Sequence, residues 1–326
     1  MNAVAAPAGG SRALRARHEK VVIVTRKTML EELVQRFNTV GQAKFYLEHA
    51  GQEVGAIEAA HARYHEALAR VVELVPPGIR RQVIDRAFLP QYAFGEADLV
   101  TTVGPDGLVV NTAKYLAGQP IVAVNPDPAE VEGVLLPFVV RDVQRTFRAA
   151  IYGDVRSTAI TMAEAALSDG QRLLAFNDLF VGARSHVSAR YRVAHKDKSE
   201  EHSSSGILIS TGAGSTGWLR SVYAGAASVA NTFGRVVAAP ADGGRFPWDA
   251  EKLVFVVREP WPSKTTGASI VSDVITRRTP LTVVSRMAEN GVIFSDGVEA
   301  DFLSFTAGLT ATIRIADKKA RLLLPN

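Results

Sequence analysis

The sequence predicts an α/β N-terminal domain with a parallel sheet, followed by a β-rich antiparallel, sandwich-like C-terminal domain. Three observations predict it. The 326 residues suffice for two domains, at about 150 residues each. In the first half, short apolar runs such as Val21-Val22-Ile23-Val24 and Ile121-Val122-Ala123-Val124 alternate with helical patterns. Strands buried on both faces of a parallel sheet read this way. After about residue 150, strand-like segments joined by Gly, Asp and Asn turns take over.

Residues 1–19 are rich in Ala, Gly, Ser and Arg, with no acidic residue before Glu19 and no continuous apolar stretch. A disordered tail is expected there, not a secretory signal. Residues 21–24 form the first strand. Leu30, Leu33, Val34 and Phe37 make a helical stripe that Gly41 is expected to interrupt and Gly51 to end. A second helix carries Val54, Ile57, Tyr64, Leu68, Val72 and Val75 and stops at Pro76-Pro77. Strands follow at 97–103 and 121–124, the second leading into Asn125-Pro126-Asp127-Pro128. The α/β domain is placed at 20–150 and the β-rich domain at 151–326, its C-terminal segment being a candidate to pack back on the first. In the second domain, strands at 157–167 and 171–176 flank the Ser168-Asp169-Gly170 turn. Residues 183–194 alternate, and 195–205 read as a polar tip holding His195 and His202 in a solvated loop. Further strands are expected at 207–210, 253–258, 281–285, 292–294 and 309–315, with one Ala-rich helix at 216–229.

Composition narrows the function classes. Hydrophobic residues are 47% and charged residues 21%, which excludes wholesale disorder. The absence of Cys excludes a disulfide scaffold, a thiolate metal site and a Cys nucleophile. No apolar run approaches the ~18 residues of a membrane span, so a cytoplasmic protein is expected. The net charge of +4 is scattered, with no stripe for nucleic acid.

Four constellations carry candidate chemistry. Thr102-Val103-Gly104-Pro105-Asp106-Gly107 sits at the carboxyl end of a strand, where ligands of open α/β sheets gather. A Gly-rich turn brings backbone amides to phosphate oxygens, and its carboxylate is placed to take a proton from a hydroxyl. Pro-Asp-Gly is also a common plain turn. Phe176-Asn177-Asp178-Leu179 closes a strand with an amide and a carboxylate that can read a base or ribose, or simply make a turn. Ser210-Thr211-Gly212-Ala213-Gly214-Ser215-Thr216-Gly217 lies between a strand and a helix. It offers a phosphate cradle, or a tight connection with Ser215 or Thr216 as helix cap. Ser295-Asp296-Gly297 reads first as a hairpin turn. His61 and His65 have the i, i+4 spacing of metal ligands on a helix. With no acidic third ligand evident, they are set aside. Trp261 reads as packing.

Asp106, Asn177 and Thr211 come in an order and spacing that single motifs lack. The ordered set resembles the NAD kinase family, whose motifs run GGDG, NE and T-x-x-G-[ST]-T. It is most similar to the branch that includes the mitochondrial NAD kinases, through Asn177 to Gly182, Ser204-Ser205-Gly206, Thr211 to Ser215, Arg258-Glu259-Pro260, Asp296-Gly297 and Asn125-Pro126-Asp127-Pro128. The resemblance covers roughly residues 20 to 315. It implies that family's two-domain architecture, and phosphorylation of the adenosine-ribose 2′-hydroxyl of NAD by ATP or polyphosphate with Mg²⁺ held mainly through phosphates. It also implies a homo-oligomer built through the β domain. By the same resemblance, Asp106 polarises the hydroxyl and Gly104, Pro105 and Gly107 approach the phosphates. Asn177 and Asp178 hold the adenosine. Thr211, Gly212, Ala213, Ser215 and Thr216 line the nucleotide cleft, with Asp296 as an additional candidate.

Three positions depart from the family pattern. Pro105 replaces a glycine and removes an amide donor. Leu108 replaces a threonine, and Asp178 replaces a glutamate. These departures keep two alternatives in view: a non-catalytic NAD or NADP sensing module, and a kinase of another hydroxyl substrate such as a sugar or lipid. An apolar channel in the β domain would mark a lipid substrate. A dehydrogenase is disfavoured because Thr25-Arg26-Lys27, not a Gly-rich turn, follows the first strand.

Overall fold

The computed structural model describes residues 16–238 and 240–325. Most of the expected tail therefore lies outside the described residues. Residues 16–19 run along the first domain, where the Arg17 amide donates to the Ile151 carbonyl.

Four parallel strands, β1 (Lys20–Thr25), β2 (Arg80–Asp85), β3 (Asp98–Val103) and β4 (Pro120–Asn125), lie in the order β4-β3-β1-β2. The two-residue β5 (Phe138–Val139) pairs with β4. Among the described residues, five α-helices belong to this half: α1 (Met29–Phe37), α2 (Val40–His49), α3 (Val54–Glu73), α4 (Asp106–Ala113) and α5 (Val143–Tyr152). Both faces of the sheet are covered, as the unbroken apolar runs require. Val22, Val24, Val100 and Ala123 pack with Leu108 and Val109 of α4. Val21, Ile23, Leu99 and Val122 pack with Tyr64 and Val71 of α3 and Phe147 of α5.

Two local expectations change. The break in the first helical stretch is at Asn38, left-handed at φ 66°, and not at Gly41, which lies inside α2. Thr39 restarts the helix by accepting a hydrogen bond from the Gln42 amide at 3.2 Å. Strand β2 had no sequence signal, because its first four residues are exposed and mostly polar. Pairing with β1, not an apolar run, defines it.

The second half holds β6 (Ser157–Leu167), β7 (Arg172–Ala175), β8 (Asp178–Ala183), β9 (Ala189–His195), β10 (Lys198–Ser204), β11 (Ile207–Ser210), α6 (Trp218–Thr232), β12 (Leu253–Val257), β13 (Ser272–Ile275), β14 (Leu281–Ser285), β15 (Gly291–Ser295), β16 (Val298–Ser304) and β17 (Thr310–Leu323). A six-stranded antiparallel sheet runs β13-β12-β11-β8-β15-β16. Its inner residues Leu179, Val181, Ile209 and Phe255 share a core with Tyr191, Val193, Leu281 and Ile313 of the opposing strands. Those opposing strands, β10-β9-β14-β17, belong to the same sheet as the parallel strands. The 14-residue β17 pairs antiparallel with β14 and β6, and its end pairs parallel with β4 through Arg321 and Leu322. One sheet of mixed direction thus passes through both halves.

The expected polar tip at 195–205 is mostly a strand. β10 pairs with β9 from Lys198 to Ser204, and His195 and His202 are buried at 4% and 2% exposure. His202 Nε2 lies 2.6 Å from Glu200, while His202 Nδ1 and His195 Nε2 are buried without a hydrogen-bond partner. Trp261, expected to pack, is 68% exposed. Among the described residues, no helix is long and apolar enough to cross a membrane.

Candidate functional site

Strand β3 ends at Val103, and the chain turns through Gly104 and Pro105 into α4. Pro105 is the cap residue, with its carbonyl accepting from the Leu108 amide at 2.9 Å. Proline suits a helix start because the amides there have no intrahelical partner. Asp106 is the first helical residue, and its Oδ1 accepts from the Leu135 amide at 2.6 Å. Leu108 is 2% exposed and packs among apolar residues beneath the loop. A Cβ on Gly104 would meet its Cδ2 at 2.9 Å. Position 108 therefore faces the core.

Asn177 and Asp178 lie where β7 passes into β8, rather than closing a strand. Asp296, in the turn between β15 and β16, organises this passage. Its carboxylate accepts from the amides of Phe176 at 3.1 Å, Asn177 at 2.7 Å and Asp178 at 3.2 Å. Lys114, which caps α4, donates to Ser295 Oγ at 2.9 Å and stands 3.9 Å from Asp296. Both side chains of that ion pair are nearly fully buried. Burial pushes the Asp296 carboxyl up, against the pull of Lys114 and the three amides. Burial also pushes the Asp178 carboxyl up, to about 7, opposed by the Ser210 hydroxyl and reinforced by the Asp296 charge. Asp178 Oδ1 is buried and has no hydrogen-bond partner.

The 211–216 loop is stitched to this passage. Thr211 donates its amide to the Asn177 carbonyl at 2.9 Å and its hydroxyl to the Phe176 carbonyl at 2.6 Å. Ser215 donates to the Gly212 carbonyl at 2.7 Å. The hydroxyls of Thr211 and Ser215 thus brace the loop, while Ala213 is half-buried and Thr216 exposed. The glycines are needed for close approach. A Cβ on Gly212 would strike the Pro247 carbonyl, and one on Gly214 the Asn177 carbonyl and the Asp178 carboxylate. Neither Ser215 nor Thr216 caps α6. Residues 214–216 form a short 3-10 turn, and Gly217 precedes the helix without a side-chain cap.

These loops border one large apolar cluster. Phe176, Ala213 and Trp248 pack in the same cluster as Leu108, Val109 and Leu135. A cavity of about 370 Å³ opens beside Gly104 and Pro105, lined also by Arg26, Arg63, Tyr64 and Asp127. Arg26 Nε is buried without a partner, and Arg63 pairs with Asp127 at 2.8 Å. Sequence reasoning missed both arginines. The cation following the first strand was the available signal for Arg26. A second cavity, about 660 Å³, lies beside Phe180, Trp218 and Phe294. Arg184 and Arg258 also line it, so its wall is aromatic and cationic rather than a continuous apolar channel.

No family model and no curated protein sequence matches the chain. Solved structures do. An NAD kinase from Archaeoglobus fulgidus in complex with ATP is 16% identical, with 94% of each chain covered and a TM-score of 0.54. Yeast NADH kinase complexed with NADH is 13% identical, covering 94% of this chain and 84% of that one, with a TM-score of 0.57. The chain therefore has an NAD-kinase-like fold, with mixed and antiparallel sheets in its two halves.

Proposed function

We propose that the protein is a phosphotransferase that moves the γ-phosphoryl group of ATP, or a terminal phosphoryl of polyphosphate, to the adenosine-ribose 2′-hydroxyl of NAD. What supports the reading is that the Asp106, Asn177 and Thr211 loops border one apolar cluster, in a fold shared with NAD and NADH kinases. In this reaction the 2′-oxygen bonds to phosphorus as the bond to the leaving phosphate breaks. The hydroxyl proton passes to Asp106. The Leu135 amide holds one oxygen of that carboxylate and leaves the other to act. Asn177 binds the adenosine. Its backbone is fixed by Asp296 and Thr211, while its side-chain amide makes no hydrogen bond among the described residues. Asp178, Gly212, Ala213 and Thr216 border the same nucleotide. Arg26 and Arg63 face the donor phosphates and compensate for the amide missing at Pro105.

Mg²⁺ would enter with the donor and neutralise its phosphates. Assembly as a homo-oligomer through the β domain belongs to the same reading.

Pro105 as cap residue favours one second reading, a nucleotide-binding module without turnover. A coupled assay with NAD, ATP or polyphosphate, and Mg²⁺ separates the two. NADP formation supports the kinase. NAD binding without NADP from any donor replaces it with the sensing module.

A further inference from the structure

Helix α3 presents His61 and His65 one turn apart, and the third ligand that the sequence hid is Glu31 of α1. One donor atom from each of the three side chains lies within 4.8 Å of the others. Thirty residues separate Glu31 from His61, so only the packing of α1 on α3 brings them together.

The group is already oriented. Thr28 caps α1 and Glu31 is its capping-box partner, with the Thr28 amide donating to Glu31 Oε2 at 2.7 Å. That bond leaves Glu31 Oε1 facing His65 Nε2 at 3.1 Å. Thr28 Oγ1 lies 2.8 Å from His61 Nδ1. In the Nδ1–H tautomer, His61 donates to this hydroxyl and keeps its Nε2 lone pair free. Metal-bound histidines are held by such a hydrogen bond from the second ring nitrogen. Burial pushes the Glu31 carboxyl up, but the Thr28 amide and the neighbouring imidazoles pull it below the usual carboxylate range.

We propose that Glu31, His61 and His65 form a binding site for one divalent transition metal of the zinc class, clamping α1 onto α3. Two imidazoles and one carboxylate, with the fourth position left to water, suit Zn²⁺ and Co²⁺ and suit Mg²⁺ poorly. The clamp holds the Thr25–Thr28 turn that carries Arg26, and does not depend on the phosphotransfer reading.

The test uses the full chain after treatment with a chelator. Calorimetric titration with Zn²⁺ is expected to give one equivalent, and Co²⁺ to give the visible absorption of a low-coordinate nitrogen and oxygen site. Glu31→Gln retains a capping-box residue, so the fold is preserved. Glu31→Gln and His65→Ala should each weaken Zn²⁺ by more than ~100-fold, exceeding the 10–100-fold cost of losing an outer partner. His49→Ala, at an exposed histidine outside the group, should leave binding unchanged. Absence of a stoichiometric Zn²⁺ site in the wild type overturns the proposal. So does binding that survives both Glu31→Gln and His65→Ala, which would leave only an ordinary ion pair between Glu31 and His65.

Discussion

The Asp296 carboxylate accepts the Asn177 backbone amide at 2.7 Å across 119 positions of sequence. It also takes the amides on either side, and the nearly buried Lys114 ammonium stands 3.9 Å away. A turn aspartate in one hairpin therefore sets the backbone of the proposed adenosine-binding loop. Through Lys114 it ties that loop to the helix that begins at Asp106. Asp296→Ala strands three amides and leaves the buried Lys114 ammonium with only Ser295 and the half-exposed Asp301, 3.6 Å away. Loss of one partner from a buried charged network costs about 3–5 kcal/mol. Urea unfolding should show a loss of that size, accompanied by weaker NAD binding. Unchanged stability would remove Asp296 as the organiser.

Asp178 should make stability depend on pH. Its folded-state value, about 7, lies above that of an exposed aspartate. The folded chain therefore holds this proton more tightly than the unfolded chain does. The contribution is fully present below about pH 4 and is lost as pH rises through 7. Asp178→Asn removes the titration. The fall in stability between pH 5 and 8 should shrink by on the order of 2–4 kcal/mol, as measured by unfolding at both pH values. An identical fall in the variant would show that another group titrates.

Gly214→Ala tests the contact between loops. Its Cβ would run into the Asn177 carbonyl and the Asp178 carboxylate. Overpacking of this kind costs about 1–3 kcal/mol. Calorimetry should also show weakened NAD binding, because Asn177 is displaced. Full affinity in the variant would mean that the loop yields without moving the site.

Asp106→Asn keeps shape and loses the proton acceptor. Turnover should fall by about 10²–10⁴-fold with NAD binding retained, checked by NADP formation beside calorimetry. Equal activity would end the role given to Asp106. Restoring the donor loop calls for Pro105→Gly alone, which should lower the apparent KM for ATP or polyphosphate. Leu108→Thr is not a restoration. Leu108 is buried in the core, and a hydroxyl there without a partner costs ~1–3 kcal/mol.

Much of the proposed site was legible as a list of residues. Asp106, Asn177, Asp178 and Thr211 stand in loops or at the first residue of the next element, where Gly, Asn, Asp and Thr break an apolar run. Their work was less legible. Thr211 and Ser215 carry hydroxyls that suit a phosphate, yet the structure turns both inward to backbone carbonyls. Arg63 and Lys114 have no local signature, being lone cations in or at the end of a helix, and Arg26 had only its place after the first strand.

By itself the sequence determined the local order of elements. Unbroken apolar runs at β1 and β4 required a sheet covered on both faces, and alternation after residue 150 required an antiparallel sandwich, because burial of apolar side chains follows the period of each element. Partnerships across long separations were decided only by tertiary structure. Strand β2 exists because β1 offers it an edge. The buried histidines of β9 and β10 depend on hairpin pairing. Strand β17 joins the two halves through β4, and Glu31 meets His65 because α1 packs on α3. In each case the stabilising contact lies in a partner tens to hundreds of residues away, and no local pattern of side chains encodes where that partner will be.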